Sequence, residues 1–174
     1  EHDKQLIAGF FKKLEAEKIE FHEDDIQTVK QLLAGKSTLI CNPFYRDLTN
    51  VLILPMFRQL MNYKNCLVIV GRETAVEDVA KWIDSALFDY TGTNSLWTSE
   101  VLSLNVCDSD IGILKFSDIY NLKLHHINHQ FLQSVGFVLI IEPSRILATA
   151  QMGLSIIVSH CETDDKDIVY CACD

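Results

Sequence analysis

Continuous apolar runs alternate along this chain with segments whose apolar positions recur every three or four residues. Phe137–Ile141 reads FVLII, five apolar residues without alternation. A strand buried on both faces of a parallel sheet has this pattern. Thr38–Asn42, Asn65–Val70, Ser95–Val101, Ile111–Phe116 and Ile168–Cys173 read as further strands. Helical spacing covers residues 4–20 through Leu6, Ile7, Phe10, Phe11, Leu14 and Ile19. A second helix is predicted over Asp24–Leu33 with Gly35 at its cap. A third runs from Thr49 or Asn50 to Met61, with Pro55 kinking it or marking its working start. Thr74–Leu87 is a fourth. Asn128 caps a helix through Phe131, Leu132 and Val135, closed by Gly136. Arg145–Met152 is helical, and Leu154–Val158 reads as strand or helix end.

Strands alternating with helices predict an α/β domain of three layers. The sheet is mostly parallel, with helices on both faces and extra helices at the N-terminus. Residues 1–36 form a helical extension packed on the core. Residues 37–174 form a single compact α/β unit. In such sheets ligands bind beyond the carboxyl ends of the strands. That places Glu142, Pro143, Ser144 and Arg145, directly after the central run, at the expected site.

Composition narrows the function. The chain has 174 residues, 48% of them hydrophobic, which suits one core. Lys and Arg number 15 against 24 acids, a net charge of −9. Phosphate neutralisation dominates nucleic-acid affinity, so the chain alone is expected to bind nucleic acid weakly. Six cysteines, several within apolar runs, fit buried thiols and a reducing, cytoplasmic setting. No run approaches the roughly 20 apolar residues of a membrane span. The chain opens with Glu1 and stops at Asp174, and it reads as a domain cut from a longer protein.

Local motifs add little chemistry. Gly35-Lys36-Ser37 looks like the tail of a phosphate-binding loop. Such a loop needs an earlier glycine where Lys30 stands, and it lies between a strand and a helix rather than after a helix. His125, His126 and His129 cluster at a turn without an adjacent acid or cysteine and read as solvent-exposed. Cys171 and Cys173 share one strand face but lack a partner pair at zinc spacing. Ser144 and Ser155 lack the glycines of a nucleophile elbow. Trp82 and Trp97 read as core or interface anchors, and Glu162–Asp167 as a solvated loop. No metal site is expected.

The order of elements over residues 22–174 resembles the first RecA-like domain of a superfamily 2 helicase, a P-loop NTPase fold. In that family a loop of the form APTGSGKT follows the first strand. Here Asn42-Pro43-Phe44-Tyr45-Arg46-Asp47-Leu48-Thr49 takes its place. Pro43 and Thr49 match. Every glycine is replaced, and Leu48 stands where the lysine belongs. Without glycine the backbone cannot wrap a phosphate closely, and without lysine the charge loses its counter-ion. The segment corresponding to PTRELAEQ is Gly71-Arg72-Glu73-Thr74-Ala75-Val76-Glu77-Asp78, and that corresponding to TPGRL is Phe116-Ser117-Asp118-Ile119. The DEAH-type position holds Glu142-Pro143-Ser144-Arg145, with no side-chain base at Pro143. The SAT-type position holds Cys171-Ala172-Cys173.

The resemblance implies a vestigial nucleotide cleft lined by Arg46, Asp47, Thr49, Glu142 and Arg145, with Glu142 the one candidate for a catalytic or metal-holding role. It implies nucleic-acid contacts at Arg72 and Ser117. No cofactor is expected, and ATP with magnesium only if the domain is an active ATPase. The expected partners are the remaining domains of the parent chain and a protein partner, with nucleic acid reached through other domains and no membrane contact. A Rossmann-like enzyme is the remaining alternative, and the chain has no G-x-G-x-x-G to support it.

Overall fold

A computed structural model of the chain describes residues 23–40, 52, 54–60, 62, 64–71, 76–81, 83, 97–98, 111–115, 128–142, 148–162 and 168–173. Its strands are β1 (Thr38–Ile40), β2 (Asn65–Val70), β3 (Trp97–Thr98), β4 (Ile111–Lys115), β5 (Val135–Ile141) and β6 (Val169–Cys173). They form one six-stranded sheet in the order β1-β6-β5-β2-β4-β3. All five neighbouring pairs are parallel. The described helices are α1 (Glu23–Leu33), α2 (residues 54–60), α3 (residues 76–81), α4 (His129–Gln133) and α5 (Ala148–Cys161).

The sheet has two apolar faces because its central strands carry unbroken apolar runs, Cys66–Val70 in β2 and Phe137–Ile141 in β5. Cys66, Val68 and Val70 of β2 join Phe137, Leu139 and Ile141 of β5 on one face. There they pack against Val29 and Leu32 of α1, Leu54 and Met56 of α2, and Val79 and Ala80 of α3. Leu67, Ile69 and Val138 point the other way and meet Phe131 and Leu132 of α4 and Ile157 and Cys161 of α5. The result is three layers. Each fully buried leucine or isoleucine here stabilises the fold by about 2–5 kcal/mol relative to alanine.

The four crossovers whose helices are described keep one hand. The connections β1 to β2 and β2 to β3 step in one direction along the sheet, with α2 and α3 on the first face. Those from β4 to β5 and β5 to β6 step back, with α4 and α5 on the second face. Reversing direction while changing face preserves the handedness that twisted parallel strands require.

Among the described residues, the two expected helix caps, Gly35 and Asn128, stand where the sequence reading put them. Gly35 has φ +82°, the left-handed cap that ends α1. Its N–H donates to Leu32 O at 3.1 Å, and Lys36 N–H donates to Gln31 O at 3.0 Å. Pro55 lies within α2 and is buried. Asn128 caps α4, with Phe131 N–H donating to its Oδ1 at 3.0 Å.

Two readings need correction. Val135 and Gly136 do not belong to the helix capped by Asn128. That helix ends at Gln133 with Ser134 as its C-cap, and both residues open β5. Leu154–Val158 is neither a strand nor a helix end, but the interior of α5, whose 14 residues run to Cys161. The two places beside β5 are already taken by β2 and β6, so the sheet has no room there for another strand.

The expected helix over residues 4–20, the segment 42–49 in the place of the phosphate-binding loop, and the acidic residues 163–167 lie outside the described residues. Among the described residues no helix is long and apolar enough to cross a membrane.

Candidate functional site

The register brings the carboxyl ends of the strands to one level. Ile40 of β1 pairs with Cys173 of β6, Cys173 with Ile141 of β5, Ile141 with Val70 of β2, and Val70 with Lys115 of β4. The residues that follow this row form the rim. In the middle of the rim stand Gly71 after β2 and Glu142 after β5.

The two are locked to the sheet by one further rung of hydrogen bonds. Gly71 N–H donates to Ile141 O at 2.8 Å, and Glu142 N–H donates to Cys173 O at 2.7 Å. β2 leads to a helix on the first face and β5 to a helix on the second. The gap between adjacent strands whose connections leave on opposite faces is the topological switch point, where open α/β sheets bind ligands. Glu142 therefore sits at the switch point, on strand geometry alone.

Its backbone is unusual. Glu142 has φ +54°, the one non-glycine residue with positive φ among the described residues. A left-handed conformation costs a side-chain-bearing residue roughly 1–2 kcal/mol. Such strain persists only where surrounding contacts fix it, and it concentrates at functional sites. Here the hydrogen bond to Cys173 fixes it. The residue is half-buried, and its carboxylate Oε2 is buried. A carboxylate so placed is an oxygen ligand suited to a hard divalent cation.

The floor beneath the rim is apolar and thiol-bearing. Cys171 and Cys173 point to the first face, both buried, with Sγ atoms 4.0 Å apart. The hydrogen bond with Cys171, then burial, holds the Cys173 thiol far above the usual cysteine range. It is a neutral packing group, not a thiolate ligand or nucleophile.

Of the residues expected to line the cleft, the structure places Glu142. Arg46, Asp47, Thr49 and Arg145 lie outside the described residues, as do Arg72 and Ser117 on the expected nucleic-acid side. His125 and His126 also lie outside them. His129 is exposed at the start of α4, as expected, but its ring meets that of His160 at a centroid distance of 4.9 Å. Sequence reasoning placed Gly71 and Cys173 in motif segments at strand ends without giving either a role at the rim, and it did not mark His160. For Gly71 the signal was present, because a glycine directly after a buried strand often marks a rim.

No protein-family model matches the chain, and no curated protein sequence matches it. Solved structures do match its fold. The DUF1998 helicase MrfA, in a structure bound to DNA and AMPPNP, superimposes with a TM-score of 0.66 over 92% of this chain at 14% identity. The UvsW helicase from bacteriophage T4 superimposes with a TM-score of 0.59 over 89% of this chain at 12% identity. The matches span 25% of the MrfA chain and 52% of the UvsW chain. With its parallel sheet, two helical layers and these neighbours, the chain has the α/β fold of a helicase-like RecA domain.

Proposed function

We propose that this chain is a helicase-like RecA module that no longer hydrolyses nucleotide and serves a larger nucleic-acid-related protein as a structural, partner-binding domain. One observation carries the reading. β1 ends level with Ile141, beside the rim that holds Glu142. The segment following β1, where a phosphate-binding loop would stand, has no glycine from Asn42 to Thr49 and has leucine at 48. A loop without bare backbone and without lysine has neither means of holding a triphosphate. Pro143, next to the rim acid, supplies no base for the attacking water. The residues of the former cleft would then be Arg46, Asp47, Thr49, Glu142 and Arg145, with Arg72 and Ser117 on the nucleic-acid side. The net charge of −9 places the nucleic-acid contacts mainly on other domains.

A second reading has one observation in its favour. Glu142 keeps a buried carboxylate oxygen at the switch point, in a strained conformation. That is the place from which an active ATPase or translocase would hold magnesium, with a neighbouring domain completing the site. Titration calorimetry with ATP and magnesium on the full protein separates the two. The structural reading expects no binding up to millimolar nucleotide. Micromolar binding that disappears with Asp47→Ala or Glu142→Ala overturns it. ATP turnover stimulated by DNA or RNA then selects the second reading.

A further inference from the structure

His129 opens α4 and His160 lies in the last turn of α5. The two helices cover the second face of the sheet, one on the way into β5 and the other on the way out. Their ends bring the two imidazoles together at a centroid distance of 4.9 Å, with ring planes 49° apart.

A second observation concerns orientation. His160 Nδ1 lies 2.7 Å from Ile156 O, one turn back on the same helix. A carbonyl only accepts, so Nδ1 carries the proton, and in the neutral ring Nε2 carries the lone pair. A backbone carbonyl that fixes one nitrogen in this way sets the tautomer and aim of a metal-ligating histidine.

The spacing fits a shared ion. With a metal–nitrogen bond of about 2.0–2.1 Å, each ring centroid lies roughly 3.2 Å from the metal. Two such arms spanning the observed separation open at about 100°, close to the tetrahedral value.

We propose that His129 and His160 form a surface site for a divalent transition metal that favours imidazole, of the zinc, nickel or copper(II) class. Water completes the coordination on the side where His129 is exposed, while His160 is half-buried. The bound ion ties the start of α4 to the end of α5 and braces the second helical layer. No third metal-ligating side chain joins the pair among the described residues, so the site is weaker than a structural zinc centre.

The bland account of the same geometry is a tilted contact between two aromatic rings, which also falls at such distances. Titration of copper(II) into the chain, followed by NMR of the histidine ring resonances, separates the two accounts. The site broadens the His129 and His160 rings first, together, below one equivalent. Nickel titration calorimetry gives one equivalent bound, and His129→Asn or His160→Gln lowers the affinity about tenfold or more. Absence of binding at millimolar nickel, earlier broadening of other rings, or unchanged affinity in both the His129 and His160 variants overturns the proposal. The NMR readout uses the unaltered protein, so it holds even if a variant folds poorly.

Discussion

The backbone N–H of Glu142 donates to the carbonyl oxygen of Cys173 at 2.7 Å, one step past the last paired residues of β5 and β6. This bond accounts for the conformation of Glu142. The chain must leave the sheet directly after Ile141, yet its next N–H is still held by the neighbouring strand. Turning there with φ +54° satisfies both demands.

Glycine adopts that conformation at little cost, whereas alanine bears the same steric penalty as glutamate. Glu142→Gly is therefore expected to be more stable than Glu142→Ala by about 1 kcal/mol. Urea denaturation of the two variants measures the difference. Equal midpoints would mean that residue 142 is not held left-handed.

Gly136 meets a different demand at the other end of β5. A Cβ built there would lie 2.6 Å from Gln59 Oε1 and 2.7 Å from Lys64 Cδ. Both obstacles are side chains, so they can move, but Gln59 Oε1 is itself buried. Gly136→Ala is expected to cost about 1–3 kcal/mol. Adding Gln59→Ala should recover part of that loss, a non-additivity that a double-mutant cycle reads directly. Strict additivity would show that the two residues do not compete for space.

These two residues mark the limit of what the sequence reveals. The buried strand was legible from Phe137 to Ile141 because its apolar run is continuous. Its first two residues were not. Gly136 after a capped helical pattern looks like a helix stop, and only the packing of Gln59 and Lys64 shows why a strand needs glycine there. Likewise Ile156, Ile157 and Val158 carry the β-branched bias of a strand, but the occupied neighbours of β5 leave them to α5. The position of Glu142 at the rim was legible, since it follows a buried run. Its left-handed backbone was not, because no glycine or asparagine signals it. The contact between His129 and His160 depends on where two helices end and has no local signature.

The thiols give a test of the core. Cys66, Cys161, Cys171 and Cys173 are buried and not joined in disulfides. Cys66 Sγ donates to Met56 O at 3.8 Å, and Cys173 is held protonated by Cys171 and by burial. The thiolate is the reactive form, so these four cysteines should resist alkylation in the folded protein and react together on unfolding. Mass spectrometry after brief iodoacetamide treatment, with and without urea, reads each position. Rapid native labelling of Cys171 or Cys173 would contradict the buried floor beneath Glu142.

The last prediction concerns alkaline stability, set by Tyr170 of β6. Its hydroxyl donates to Glu162 Oε1 at 2.9 Å, just past the end of α5, while its backbone N–H donates to Ser37 Oγ at 3.1 Å, just before β1. Burial, then the hydrogen bond to Glu162 and the charge of that carboxylate, raises the phenol above its ordinary value of 10.0. The sign follows from proton counting. Between the unfolded and folded values the native state holds the phenolic proton and the unfolded chain does not. The contribution of Tyr170 is therefore fully present below about pH 10 and is lost as the pH rises further. Tyr170→Phe removes both the titrating group and the hydrogen bond. The variant should be less stable than the parent near neutrality, and the gap should close as the pH climbs through the alkaline range. Denaturation midpoints of the two proteins, measured from neutral to strongly alkaline pH, test this. A gap that stays constant with pH would show that the hydroxyl is not held by Glu162 in solution.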